Sequence, residues 1–314
     1  MIGMKYVLLL LSCFALGSFM EPSPGKSLWT VTVDPGGRYA VTGGDDRIIR
    51  LYQTKDMKLL RSFPVRSMIR RLAWQPFGQL LAVATNDKHM HLRNMVTGDS
   101  IPLQGIEFGG RGVTWSYNGK FLAVTDNHLI KIFNEKGQWV RTIPKEDQTS
   151  YFDIDWHPSK NLLLVSGDDI RLYEMSGKKM ATLKHREEHT GVLSVEWHPS
   201  GNFFVSGDYG HDGEGVPSLL QYWTPEGKLF KTIKGSKTEY RDLQWNQDGS
   251  LLATASDKLR IWTKDGELKY EGGDGKENLW GISWNDYSKE LVTVYFTGIL
   301  EKWNSKAVSL QRFE

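Results

Sequence analysis

The feature that most constrains this chain is a four-run unit repeated at nearly fixed spacing. Val33, Trp74, Trp115, Trp156 and Trp197 follow one another at intervals of 41 residues, and Trp245 and Trp284 continue the series at 48 and 39. Each ends a short run in which apolar residues alternate, as Phe152, Ile154 and Trp156 do, and a period of two is the mark of a β-strand. Turn residues come next, among them Asp34-Pro35-Gly36-Gly37, Gln75-Pro76-Phe77-Gly78, His157-Pro158-Ser159 and His198-Pro199-Ser200-Gly201. A second apolar run, a tight turn often containing Asp, and a third run follow. The third run ends in an aromatic residue (Tyr52, Phe133, Tyr173, Trp223, Trp262, Trp303), which Arg93 replaces in the second unit. A fourth run closes the unit. One such unit cannot bury both faces of its sheet, so seven copies at a period near 40 imply stacking into a propeller or array.

These units resemble the WD40 repeat. The likeness lies in the Pro/Gly turn, the Thr42-Gly43, Ser166-Gly167 and Ser206-Gly207 steps, the Asp-centred turn and the aromatic finish, and it covers roughly Ser27 to Phe313. The Trp-Asp dipeptide of that family is absent. Tyr52-Gln53, Tyr173-Glu174 and Trp262-Thr263 stand in its place, and the Gly-His pair survives only loosely around His189. The resemblance therefore implies an all-β, seven-bladed WD40-like β-propeller in which the family's Asp–His–Ser–Trp hydrogen-bond network is mostly missing. Blades are expected over about 27–64, 68–105, 108–145, 150–185, 190–235, 239–273 and 278–314. Each unit is complete in sequence order, so blade seven is expected to pack on blade one without a shared sheet.

Bulk properties narrow the function. Lys and Arg number 39 against 37 Asp and Glu, so no net field favours nucleic acid. The only cysteine, Cys13, lies in an apolar leader, which leaves the remainder without a disulfide, a Cys-based zinc site or a thiol nucleophile. Lys5 followed by an apolar block reads as a secretory signal over residues 1–17, with 18–26 as a linker and 27–314 as the propeller. Leu10-Leu11-Ser12-Cys13 resembles a bacterial lipobox, which would end the leader at 12 and lipidate Cys13, its only route to a membrane. The expectation is a divergent, exported bacterial-type member, periplasmic, extracellular or membrane-anchored.

Candidate functional residues come from the position four before each anchor: Trp29, Arg70, Arg111, Phe152, Leu193, Arg241 and Trp280. The positions two before the anchor are uniformly apolar, whereas this series varies from blade to blade at the mouth of the central channel. In the WD40 family that ring is the usual partner-binding site, and Trp and Arg dominate binding hot spots. Trp29 and Trp280 have a competing role as packing at the seam where the ring closes. Asp45, Asp46, Asp87, Asp126, Asp168 and Asp169 fall in turns on the same face, where Asp commonly bonds its own backbone. An insertion in the fifth unit offers Tyr209, His211, Asp212 and Glu214 as an accessory loop.

No nucleophile elbow, phosphate loop or dinucleotide fingerprint is present. His185-Arg186-Glu187-Glu188-His189 has neither the spacing nor the helical context of a zinc motif, so no metal or cofactor is assigned. The reading is a non-enzymatic scaffold, monomeric by itself, that binds protein or peptide. The alternatives are a metal-dependent hydrolase or lactonase with a channel-mouth site built on Asp153, Asp155, Glu196 and Asp242, and a structural component of an envelope assembly.

Overall fold

The computed structural model describes residues 27–187, 190–210 and 215–313. The chain is a seven-bladed β-propeller. Seven antiparallel sheets of four strands are each formed by consecutive strands, as in blade one with Leu28–Val33, Tyr39–Gly44, Ile48–Gln53 and Lys58–Pro64. The first strand of each blade lies innermost: Leu28–Val33, Ile69–Trp74, Val113–Trp115, Asp153–Trp156, Val192–Trp197, Asp242–Trp245 and Leu279–Asn285. These strands pack on one another around the axis, and the seventh packs on the first.

The core is divided into seven inter-blade layers rather than one central mass. Between blades three and four, for example, Ile130, Ile132, Ile154, Trp156, Leu163 and Val165 pack together, and between blades seven and one Leu28, Val31, Ala40, Val292 and Val294 do so. The residues two before each anchor (Val31, Leu72, Val113, Ile154, Val195, Leu243, Ile282) are all buried. The anchors are buried from Trp115 onward, but Val33 and Trp74 are only half-buried.

Packing alone leaves a polar problem. An innermost strand pairs on one side only, and its other edge presents unpaired N–H groups to the next blade. Side chains of the preceding blade satisfy them in a fixed pattern. The residue three before the anchor accepts from the next blade's apolar position: Thr30 from Leu72 N (3.2 Å), Asp153 from Val195 N (3.3 Å) and Asp242 from Ile282 N (3.0 Å). The residue just before the anchor accepts from the next anchor's N–H: Thr114 from Trp156 (3.3 Å), Asp155 from Trp197 (2.7 Å), Gln244 from Trp284 (2.6 Å) and Ser283 from Val33 (2.9 Å). That last bond joins blade seven to blade one, so the ring closes without a shared sheet.

A second set of latches lies at the opposite end. The residue after the anchor reaches a turn glycine of the next blade: Gln75 to Gly119 O (2.8 Å), His157 to Gly201 O (3.2 Å), His198 to Gly249 O (2.9 Å) and Asn285 to Gly37 O (2.8 Å). These glycines have φ of 68° to 71°, a region costly for other residues. A Cβ on Gly201 would also lie 2.5 Å from the His157 ring.

The family network expected to be mostly missing survives in part. Trp223 donates to Ser206 (2.8 Å), Trp262 to Thr254 (3.1 Å) and Trp303 to Thr293 (2.9 Å). In several blades a cation two before the third-strand aromatic holds the acidic turn: Arg50 with Asp46 (2.5 Å), Lys131 with Asp126 (3.0 Å), Arg171 with Asp169 (2.9 Å) and Arg260 with Asp257 (2.7 Å).

Replacing Ser283 with Ala strands the Val33 amide inside the closing seam. A loss of about 1–3 kcal/mol is expected from the denaturant midpoint, with faster hydrogen exchange at Val33. An unchanged midpoint and unchanged exchange would show that the seam does not depend on this latch.

Candidate functional site at the channel mouth

Strict alternation would turn the residue four before each anchor into the buried inter-blade face. In four blades a β-bulge prevents this. Leu28 pairs with Gly44 and Thr30 with Gly43, so Trp29 is the extra residue, and Arg70, Leu193 and Trp280 are displaced in the same way. A bulge re-aims one side chain at a small cost in pairing. Arg111, Phe152 and Arg241 instead precede the first paired residue of their strands.

The mouth that results is asymmetric. Trp29 and Trp280 meet edge to face across the seam with ring centroids 4.4 Å apart, and Phe296 stacks on Trp280, also at 4.4 Å. The Arg70 guanidinium lies over Trp29 at 3.9 Å and that of Arg241 over Trp280 at 4.1 Å. Arg241 also sits 5.7 Å from the Tyr209 ring and is held by Glu239 at 2.5 Å. Arg111 reaches across the channel, its Nη2 donating to the Arg241 carbonyl. Five of the seven predicted ring residues thus form one connected cluster. Phe152 packs instead against Gly191, and Leu193 is buried. Trp29 and Trp280 pack the seam, and both remain half-buried at the mouth.

Beneath the mouth lies a charged layer that the sequence did not reveal as a unit. Arg71 meets Asp242 at 2.7 Å and Asp153 at 3.7 Å. Burial opposes the charge on Arg71, but Asp242 and Asp153 outweigh it and raise its pKa. Arg111 is pushed down to about 10, chiefly by burial, with Arg71 and Arg241 adding repulsion against the pull of Asp153 and Asp242. Burial likewise lowers Arg70, and the nearby charge of Arg241 adds to it while Asp45 opposes it. Asp155 is pushed up to about 7, chiefly by burial and with the Asp153 charge beside it, although the Trp197 and Trp156 amides pull the other way. Glu196 is raised well above its ordinary value by burial and by Asp155 and Asp242.

The turn aspartates are held mostly within their own blades. Asp46, Asp126 and Asp169 are engaged by cations of their own blades, and Asp126 also accepts the Glu107, Phe108 and Gly109 amides. Asp87 bonds Ser67 (2.5 Å) and His89 (2.9 Å), and Asp168 is exposed. Only Asp45 belongs to the cluster, beside Arg70. Sequence reasoning missed Phe296, although an aromatic stands there in a turn where other blades carry Asp or Asn. His211, Asp212 and Glu214 lie outside the described residues, as do His189 and the entire segment 1–26, including Cys13. Among the described residues, no group of three or more His, Cys, Asp or Glu is placed to hold a metal.

The WD domain, G-beta repeat, matches this chain over residues 18–53, 177–214 and 227–263. Eukaryotic translation initiation factor 3 subunit I of Kluyveromyces lactis is 23% identical over 163 residues, covering 46% of this chain and 47% of the relative. The p21-activated protein kinase-interacting protein 1-like of Danio rerio is 26% identical over 148 residues, covering 46% and 39%. The ribosome biogenesis protein BOP1 homolog of Aedes aegypti is 34% identical over 74 residues, covering 23% and 8%. The chain thus spans less than half the length of each of these relatives. The likenesses overturn the expectation of a bacterial-type exported protein: the relatives it matches are eukaryotic proteins named for translation initiation and ribosome biogenesis.

The raised carboxylates give stability a definite pH dependence. Folded Asp155 keeps its proton up to about pH 7, whereas an unfolded aspartate releases it near pH 4. The folded state therefore binds more protons within that window, and this contribution to stability is lost as pH rises from about 4 to about 7. Asp155→Asn keeps an acceptor for the Trp197 amide and abolishes the titration. Its denaturant midpoint should fall less than that of the wild type across this window, and Asp155→Asn with Glu196→Gln less still. Wild-type slopes in both variants would remove the carboxylates from the explanation.

Proposed function

We propose that this propeller is a non-enzymatic scaffold that captures a segment of a protein or peptide at its channel mouth. The observation that carries the reading is the cluster of Trp29, Trp280 and Phe296 between the Arg70 and Arg241 guanidiniums. Bulges place its two tryptophans on the seam, where they stay half-buried rather than fully packed away. Half-buried indoles flanked by arginines combine a large apolar contact area with directional donors, the composition of binding hot spots. The relatives support the same class of role, since one is named as a subunit of an initiation factor and another as a kinase-interacting protein.

Three of the four carboxylates that a hydrolase would need are committed elsewhere. Asp153 and Asp242 hold Arg71 and accept inter-blade amides, and Asp155 accepts the amides of Trp156 and Trp197. A catalytic base at any of these three positions would have to abandon the contacts that join the blades.

Arg70→Glu is the cleaner test, because Arg70 contributes a ring contact, whereas Arg111 braces the channel. Reversing both charges would confound binding with folding. Arg70→Glu should lower partner capture at least tenfold, about 1.4 kcal/mol, with an unchanged melting curve. Phe77→Ser, at an 84% exposed position on the opposite face, should leave capture intact. The reverse pattern would move the binding surface to the other face.

A further inference from the structure

The charges at the mouth are not all paired, and the two arginines without a direct ion pair specify what can enter it. Arg241 is neutralised by Glu239 (2.5 Å) and Arg71 by Asp242 (2.7 Å) with Asp153. Among the described residues, neither Arg70 nor Arg111 has a carboxylate within ion-pair distance. Arg70 uses the flat face of its guanidinium on Trp29 and so leaves its N–H edge free. Arg111 commits Nη2 to the Arg241 carbonyl and keeps its remaining donors. Planar guanidinium edges are matched to carboxylates, which they bind through two parallel hydrogen bonds. Placed against indole rather than bulk water, such a bond gains strength.

We propose that the captured segment is an acidic one, and that a Glu or Asp side chain enters the channel mouth to be bound by Arg70 and Arg111 while its apolar neighbours lie on Trp29, Trp280 and Phe296. This rests on the scaffold reading above and specifies the chemistry of its partner. The mouth suits a single carboxylate rather than a polyanion. Asp45 and Glu239 flank it and repel additional negative charge, and the nearly balanced whole-chain charge supplies no field to hold a phosphate backbone.

The test uses the full chain and a peptide library with random flanks around one fixed position, occupied by Glu, Gln, Lys or phosphoserine. Peptides with Glu should bind about ten- to a hundredfold more tightly than those with Gln, the range expected for a hydrogen bond to a charged group. That preference should collapse in Arg70→Gln and, separately, in Arg111→Gln. The wild-type ranking decides the matter even if Arg111→Gln fails to fold. Binding that shows no Glu preference, or favours Lys, overturns the acidic segment while leaving the scaffold reading standing. A strong preference for phosphoserine over Glu overturns the carboxylate assignment. If no series is retained in a manner sensitive to Arg70→Glu, both readings fall.

Discussion

The structure depends on the unpaired edge of each innermost strand. A sheet that stops at the axis leaves backbone donors facing the next blade, and burying each without a partner costs about 1–3 kcal/mol. The propeller solves this with side chains of the preceding blade, Thr30, Thr114, Asp153, Asp155, Asp242, Gln244 and Ser283, each accepting a neighbour's amide. Polar residues so near the axis are therefore structural, and at Asp242 the carboxylate accepts the Ile282 amide with one oxygen and meets Arg71 with the other.

The same constraint explains why the mouth is where variety is tolerated. Below the bulge, alternation turns one set of side chains into the inter-blade layers and the other toward the axis, where several serve as amide latches. At the bulge, one side chain is released from both duties. Trp29, Arg70 and Trp280 are released in this way, and they meet because their blades are neighbours around the seam. The departure from regular pairing creates the surface.

Much of the fold was legible in the sequence because the period and the apolar positions two before each anchor are one-dimensional signals. The ring of variable residues was legible for the same reason. Its geometry was not, since a bulge leaves no mark on residue spacing. Arg111 and Arg241 meet through a bond across 130 positions of chain, and no local pattern foretells it. Arg71 was nearer to view: it shares its position in the repeat with Asp153 and Asp242, and opposite charges at equivalent positions of a closed ring can face one another across it. The turn aspartates are explained locally: Asp46, Asp126 and Asp169 each meet a cation two residues before the third-strand aromatic of their own blade, a position that spacing alone does not single out.

The closing seam carries a consequence for how occupancy and integrity are linked. Blade one is joined to blade seven without a shared sheet, by an apolar layer, by side-chain bonds from Ser283, Asn285 and Lys302, and by the Trp29–Trp280 contact. A ligand seated on those two indoles recognises only the closed ring, since an opened seam separates them. By mass action such a ligand stabilises closure in proportion to the logarithm of its concentration relative to its dissociation constant. The guest then becomes the clasp of the ring that holds it.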